Sequence, residues 1–200
     1  GGYFFLIISS SALPIYVLIY LAIYNFLIPL IVSIIVLMVQ PFFVLMRKRI
    51  LRQATEKIAQ FTNLAVIGIT GSYGKTSTKE FLKTILSAKF NVLATPAHKN
   101  SEMGIADTIL KNLNDKHQVF IVEMGAYNKG GIKLLCDMVK PRIGVVTGVN
   151  EQHLSTFGSM ENLLSAEGGI ELAEHLPQHG TLVINGDNKY CLDLYKKSNI

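Results

Sequence analysis

The first 46 residues form an almost uninterrupted apolar block that contains no Asp, Glu, Lys or Arg. As a single helix this block would be about 69 Å long at ~1.5 Å per residue, whereas the hydrocarbon core of a bilayer is ~30 Å thick. Two membrane crossings therefore suit its length better than one. Asn25 and Pro29 lie near the middle, where a turn between two crossings would fall. The pattern predicts an all-α transmembrane hairpin with helices over residues 3–23 and 29–46.

A basic cluster follows the apolar block directly. It consists of Arg47, Lys48, Arg49 and Arg52. Basic residues concentrate at the cytoplasmic ends of membrane spans, so we expect the rest of the chain to lie in the cytoplasm. The alternatives are a hairpin buried in a soluble protein and a cleaved signal peptide, but the block is too long for a signal peptide and lacks a basic start. The predicted domains are the hairpin over residues 1–46, a basic juxtamembrane linker helix over 47–62 and a soluble domain over 63–200.

After residue 62 the pattern changes to short apolar runs that alternate with amphipathic segments of helical spacing. This alternation is typical of an α/β fold, in which a parallel sheet carries helices on both faces and binds ligands at the carboxyl ends of its strands. The predicted strands are 64–70, 91–94, 119–124, 143–147 and 181–184. The predicted helices are 76–88, 105–113, 132–139 and 160–176, the last weakened by Gly168 and Gly169.

Composition supports this division into two parts. The 19 basic and 14 acidic residues all follow residue 46, and the formal net charge is +5. Such a distribution excludes a disordered chain and a purely soluble protein. Because part of the basic excess lies beside the apolar block, we expect no nucleic-acid partner. Cys136 and Cys191 lie in apolar helical patterns, which indicates reduced core thiols in a cytosolic domain.

The sharpest motif is the segment TGSYGKTS at residues 70–77, which lies between a predicted buried strand and a predicted helix. Glycines there let backbone N–H groups converge on phosphate oxygens at a helix N-terminus. Lys75 would reach the β- and γ-phosphates, and the Thr76 hydroxyl would bind Mg²⁺. Ile69 stands where the strict pattern of such a P-loop has Gly. The predicted nucleotide-binding residues of the loop are Thr70, Gly71, Ser72, Gly74, Lys75, Thr76 and Ser77.

Two further polar residues follow predicted strands. Glu123 ends an apolar strand, and an acid at this position in a P-loop fold can bind Mg²⁺ directly or through water. His153 follows the next strand along the chain and is expected at the same sheet edge, although a lone His is as often structural.

Several of these segments, in this order and spacing, resemble the central ATPase domain of the Mur ligases over roughly residues 64–190. They are residues 68–80, Thr95-Pro96, Asn100, Gly104, 123–126, His153-Leu154, 157–159 and 185–188. The likeness is greatest to the MurF type, which adds D-alanyl-D-alanine to UDP-N-acetylmuramoyl-tripeptide. It implies an ATP-dependent carbon–nitrogen ligase that activates a carboxylate as an acyl phosphate, which an amine then attacks.

The resemblance also implies a site with ATP and Mg²⁺ as cofactors. Thr76 and Glu123 would hold one Mg²⁺ and His153 a second, while Lys75 would stabilise the transferred phosphoryl group. Asn100 would face the phosphates, and Asn185 and Asp187 would lie near the nucleotide.

Four positions depart from the family pattern. Many members carry a carbamylated lysine where this chain has Glu167, and we hypothesise that the Glu167 carboxylate replaces the carbamate. Lys75, His153 and Glu167 are thus the predicted catalytic residues. Gly131 and Gly169 stand where Glu is frequent, and His98 stands where Asn is common. These departures call substrate binding and full activity into question.

The leading expectation is a bacterial inner-membrane ligase of peptidoglycan precursor synthesis, with its catalytic domain in the cytoplasm. Its partners would be UDP-MurNAc-peptide, D-Ala-D-Ala and, through residues 3–46, the membrane. The ends of the sequence suggest a fragment, inactive alone, without the family's UDP-binding and C-terminal domains. Three alternatives stay open: a ligase resembling folylpolyglutamate synthases, a membrane-tethered P-loop regulator or kinase, and an inactive scaffold.

Overall fold

The computed structural model describes the backbone of residues 2–197 and the side chains of residues 14–196. Contacts divide the chain into two compact units, residues 1–47 and 48–200, each with its own set of internal contacts. The boundary lies within the basic cluster that follows the apolar block.

A single long helix, α1 (Gly2–Ile58), contains the whole apolar block. The predicted turn at Asn25–Pro29, which would separate helices 3–23 and 29–46, is therefore wrong, and the linker helix predicted within 47–62 is part of α1 as far as Ile58. A proline in a helix removes one backbone donor but does not by itself reverse the chain. The Ser33 hydroxyl donates to the Pro29 carbonyl at 2.7 Å, and no glycine-rich or polar loop segment interrupts the helix there.

The side chains of α1 from residue 14 to residue 49 are all exposed. They are almost entirely Leu, Ile, Val, Phe, Tyr and Met, and the helix is long and apolar enough to cross a membrane. Exposed apolar surface of this extent is unusual for a soluble protein.

The second unit is built on a five-stranded parallel sheet in the order β2-β3-β1-β4-β5. The strands are β1 (Ala65–Thr70), β2 (Val92–Ala94), β3 (Val119–Glu123), β4 (Ile143–Val146) and β5 (Thr181–Ile184). In the register, Gly68 of β1 lies opposite Val122 of β3 and Gly144 of β4. The central strand β1 and its neighbour β3 are almost completely buried, which explains why both are short continuous apolar runs in the sequence.

In the part of this unit that the structure describes, seven α-helices and one 3₁₀-helix (Glu151–His153) accompany the sheet, together with the end of α1. The seven α-helices are α2 (Lys75–Ser87), α3 (Glu102–Asn112), α4 (Gly131–Val139), α5 (Leu154–Phe157), α6 (Met160–Ala166), α7 (Ile170–Glu174) and α8 (Lys189–Lys197). One face of the sheet shares a large core with α3, α4 and the helices after β4, whereas α2 covers the other face. The predicted α/β architecture with helices on both faces is confirmed.

The helix predicted over residues 160–176 is broken into α6 and α7 at Gly168 and Gly169. Gly169 has φ +88°, and a Cβ at this residue would lie 2.4 Å from Cγ2 of Val146. Because L-residues avoid this conformation, the glycine ends the continuous helix. The break turns the chain between Glu167 and Glu171, both of which are buried.

Candidate nucleotide-binding site

A tight loop joins β1 to α2 at the carboxyl edge of the sheet. Gly71 has φ +138° and Gly74 has φ +78°, which are conformations that favour glycine. A Cβ on Gly71 would lie 2.2 Å from the Thr147 hydroxyl and 3.0 Å from the Gly148 carbonyl oxygen. The two glycines of the predicted P-loop are therefore required by the backbone and by the close approach of the neighbouring strand end.

Thr147, for which the sequence predicted no role, holds the loop against the end of β4 by hydrogen bonds. Its hydroxyl donates to the carbonyl oxygen of Thr70 at 3.1 Å and also contacts that of Tyr73. The Ser72 N–H donates to the Gly148 carbonyl oxygen at 2.8 Å. Thr147 directly follows β4, which lies beside β1. Its contact with the loop could be predicted only if the order of the strands in the sheet were known.

Lys75 is the first residue of α2, and its ammonium donates to the carbonyl oxygen of Gly71 within the loop. The side chain is half-buried and Ser77, on the first helical turn, is exposed. Free N–H groups at a helix start and a lysine folded over the loop are the arrangement that binds phosphate oxygens.

Thr76, Asn100 and Glu123 meet on one side of the loop. The Thr76 hydroxyl donates to Oε1 of Glu123 at 3.0 Å, and the Asn100 amide donates to the same oxygen at 3.3 Å. Glu123 is 4% exposed at the end of β3, and the Lys79 ammonium lies 3.1 Å from its Oε2. The parallel register of β1 and β3 brings Glu123 beside the loop, as the sheet-edge argument predicted.

On the other side of the loop, Ser72, His153 and Glu167 form a second cluster. The Ser72 hydroxyl donates to Oε2 of Glu167 at 2.7 Å, and Nδ1 of His153 lies 2.9 Å from Oε1. Glu167 is buried, whereas the His153 side chain is 39% exposed. Because Nδ1 of His153 faces this carboxylate, Nε2 is the ring nitrogen that is left to act as a ligand atom.

The donor atoms around Glu123 suit Mg²⁺. The Thr76 hydroxyl and the Glu123 carboxylate are hard oxygen ligands, and Mg²⁺ in nucleotide sites takes one or two protein oxygens together with phosphates and water. Oε1 of Glu123 lies beside the Thr76 hydroxyl on the side of the loop, whereas Oε2 is buried 3.1 Å from the Lys79 ammonium. Within residues 14–196, no three His, Cys, Asp or Glu side chains converge as a complete metal site. His153 contacts Glu167 and not the Thr76–Glu123 pair, and its metal role stays a prediction.

Asn185 and Asp187 follow β5 at the same sheet edge. The Asn185 amide donates to the Thr147 carbonyl oxygen at 3.0 Å, which ties it to the segment that fastens the loop. Asp187 is exposed, and its backbone N–H donates to Oδ1 of Asn185. Asn188, which ends the resembling segment 185–188 and had no predicted role, donates to Tyr73 Oη at 3.3 Å and to the Val149 carbonyl oxygen at 2.9 Å.

At Gly131 and His98, where the sequence departs from the family pattern, the local backbone and packing show which residues fit. A Cβ on Gly131 already lies 2.7 Å from the Ala126 Cβ, so a larger residue here requires that segment to shift. Glu171 instead caps the start of α4, accepting from the N–H groups of Gly130 at 2.7 Å and Lys133 at 2.8 Å. His98 has φ +64°, in the left-handed region that Asn adopts most easily.

The chain is similar in sequence to known proteins. The sequence profile of the Mur ligase middle domain matches residues 69–200. UDP-N-acetylmuramoyl-tripeptide–D-alanyl-D-alanine ligase of Synechocystis is 41% identical over 130 residues, which cover 65% of this chain and 28% of that protein. The enzyme of the same name from Mycobacterium tuberculosis is 39% identical over 137 residues, 68% of this chain and 26% of that one.

Solved structures agree with the sequence comparison. MurF ligase from Thermotoga maritima in complex with ADP has a TM-score of 0.68 and 32% identity, covering 76% of this chain and 34% of that chain. MurF from Acinetobacter baumannii has a TM-score of 0.67 and 27% identity, with 75% and 32% covered. The chain thus spans about a quarter to a third of the relatives it matches. It belongs to the Mur ligase family, and its match to that family is the middle domain.

Proposed function

We propose that this chain supplies the ATP-binding middle domain of a MurF-type ligase, which joins D-alanyl-D-alanine to UDP-N-acetylmuramoyl-tripeptide. The observation that carries the proposal is the P-loop flanked by two buried carboxylates, Glu123 on β3 and Glu167 after α6. The names of the similar proteins and the ADP in the Thermotoga maritima structure support the substrate assignment.

In this mechanism the chain positions ATP and stabilises the charge on the phosphoryl group that passes to the substrate carboxylate. The N–H groups of the loop and of the start of α2 bind the phosphate oxygens. Lys75 leaves the Gly71 carbonyl oxygen, where it rests, and contacts the transferred group. Thr76 and Glu123 would hold Mg²⁺, which supplies charge neutralisation between the phosphates. The resulting acyl phosphate is then attacked by the amine of the incoming dipeptide, and phosphate leaves.

Glu167 is proposed to take the place of the carbamylated lysine found in many relatives. Its carboxylate is buried and held between the loop serine Ser72 and His153, so it presents negative charge beside the nucleotide without a side-chain modification. The shorter side chain favours an action through water or through His153. Through the Ser72 hydroxyl, Glu167 also fixes the shape of the loop itself.

We propose that α1 anchors the protein in the bacterial cytoplasmic membrane. Its charge-free segment far exceeds the ~20 residues that one crossing needs, and its side chains from residue 14 to residue 49 are exposed. The basic residues at 47–52 would stay on the cytoplasmic side, which places the nucleotide site in the compartment that contains ATP.

The test uses the full-length gene product in detergent with ATP, Mg²⁺, UDP-N-acetylmuramoyl-tripeptide and D-alanyl-D-alanine. We expect ADP release together with the ligated product, identified by mass, and loss of both in Lys75→Ala. The matched control is Lys83→Ala, an exposed lysine two turns further along α2. ADP without product would favour another acyl substrate or a P-loop regulator, and absence of ADP would favour an inactive scaffold.

Glu167→Gln tests the second carboxylate in the same assay. Removing its negative charge is expected to lower kcat by about a hundredfold or more, in the range found for lost electrostatic stabilisation of a transition state. Glu161→Gln, on the exposed side of α6, removes an equal charge and should leave kcat unchanged, since this side chain is 85% exposed. A normal rate in Glu167→Gln would contradict the role given to Glu167.

A further inference from the structure

Lys79 is a lysine with no access to solvent. It lies on α2 one turn after Lys75, and its side chain is 0% exposed. Lysine is almost never fully buried unless it is paired, because the ammonium loses its hydration. The buried ammonium of Lys79, at the edge of the candidate nucleotide site, therefore needs a partner that compensates for its lost hydration.

Lys75 and Lys79, two of the three lysines of α2, have different partners. Lys75 contacts the Gly71 carbonyl oxygen in the loop and is half-buried, so it is free to reach a phosphate. Lys79 lies 3.1 Å from Oε2 of Glu123 and 3.4 Å from Oε1 of Glu80, which is itself half-exposed. Lys79 is thus committed to the carboxylate that is expected to bind Mg²⁺, and burial keeps it there.

The contacts divide the Glu123 carboxylate between two functions. Oε1 accepts from Thr76 and Asn100 and lies on the side of the phosphate loop. Oε2 is buried against the Lys79 ammonium without a hydrogen bond from any described residue. An ammonium this close neutralises most of the carboxylate charge, which would otherwise attract a cation.

We propose that Lys79 is a positioning residue that couples metal binding to nucleotide binding. Its ammonium holds Oε2 of Glu123, directs Oε1 towards Thr76 and cancels the negative charge of the empty site. A divalent cation then binds only when nucleotide phosphates contribute further negative charge and further oxygens. This inference rests on the proposed ATP site and adds to it the order in which the site is filled.

The test measures Mn²⁺ binding by electron paramagnetic resonance on the full-length gene product in detergent, without and with ADP. The unaltered protein should bind Mn²⁺ only when ADP is present. In Lys79→Gln, which keeps a polar side chain but removes the charge, nucleotide-free Mn²⁺ binding should become tighter by about tenfold or more. Lys79→Arg retains the charge and should restore dependence on ADP.

Two controls separate this role from a structural one. Lys83→Gln removes an exposed charge from the same helix and should leave nucleotide-free Mn²⁺ binding unchanged. Adding Glu123→Gln to Lys79→Gln should abolish the new Mn²⁺ site, whereas a mere loosening of α2 would not depend on Glu123.

The outcomes are distinguishable from those of the proposed function. If the unaltered protein binds no Mn²⁺ even with ADP, the ATP site itself is contradicted. If it binds Mn²⁺ equally well without ADP, or if Lys79→Gln gains no nucleotide-free binding, only the coupling role of Lys79 is overturned. The measurement on the unaltered protein needs no substitution, so equal Mn²⁺ binding with and without ADP overturns the proposal even where Lys79→Gln does not fold.

Discussion

The two units of the chain depart in opposite ways from the usual arrangement of apolar side chains inside and charged side chains outside. The first exposes apolar side chains, and the second buries charged ones. In the first unit, the apolar side chains of α1 from residue 14 to residue 49 are exposed. Among the described side chains of the second unit, four charged ones are buried to 5% exposure or less: Lys79, Glu123, Glu167 and Glu171. Apolar residues outside require a solvent other than water, and charges inside require specific partners. The comparison teaches that each reversal needs its own physical reason, which is functional at the P-loop and structural at Glu171.

The buried charges differ from one another in how they are held. Lys79 and Glu123 neutralise each other, whereas Glu167 is held by a hydroxyl and an imidazole. Glu171 has no ion-pair partner among the described residues and is held by two backbone N–H groups and the Ser165 hydroxyl. The Lys79–Glu123 pair and Glu167 adjoin the P-loop, whereas Glu171 does not. Glu171 is therefore the buried charge with a purely structural role, against which the others can be compared.

Removing the exposed apolar region should have the largest effect. Deletion of residues 1–46 is expected to move the protein from the membrane fraction to the soluble fraction, because one transmembrane helix gives practically irreversible insertion. Fractionation of cells followed by immunoblotting measures this. Leu30→Arg, which places a charge in the middle of the apolar segment at a cost of about 3 kcal/mol, should reduce insertion without shortening the helix. Retention of the deleted form in membranes would show that another segment provides the anchor.

Removing the Glu171 carboxylate should have a smaller but clear effect on the stability of the protein. Glu171→Ala leaves the N–H groups of Gly130 and Lys133 without their acceptor, and we expect a loss of about 3 kcal/mol in the free energy of unfolding. Urea unfolding followed by circular dichroism measures it. Glu174→Ala is the control, because this acid on the same short helix is exposed. Equal stability of the two variants would mean that water replaces the carboxylate at the start of α4.

The residues that could be predicted from the sequence are those whose role depends on local pattern. Gly71, Gly74 and Lys75 were predicted because a phosphate loop needs these residues at fixed spacing between a strand and a helix. Glu123 was predicted because it ends a buried strand. In each case the relevant constraint lies within a few residues along the chain, where spacing can be read directly.

The features that escaped prediction depend on which segments meet in space. Lys79 lies within residues 68–80, which carry the family resemblance, but the sequence predicted no role for it. Only the packing of α2 against β3 shows that it is buried on Glu123. The contact of Thr147 with the loop could not be predicted without knowing that β4 lies next to β1. The continuity of α1 was missed for a different reason, since Asn25 and Pro29 were given more weight as a turn than the uninterrupted apolar run around them.

The smallest expected effect concerns Cys136, a buried thiol whose charged form is disfavoured by burial more than the nearby Lys140 and Lys133 favour it. Burial, followed by the nearby charges of Asp137 and Glu171, raises the pKa of the thiol from 9.0 to about 12. The unfolded chain therefore loses this proton first as the pH rises, and the stability that the thiol contributes is complete below pH 9 and is lost between pH 9 and 12. The difference between the original protein and Cys136→Ala in free energy of unfolding should shrink by about 1 kcal/mol from pH 8 to pH 10. Urea unfolding at the two pH values measures this, and a difference that does not change with pH would mean that the Cys136 thiolate is stabilised in the folded protein after all.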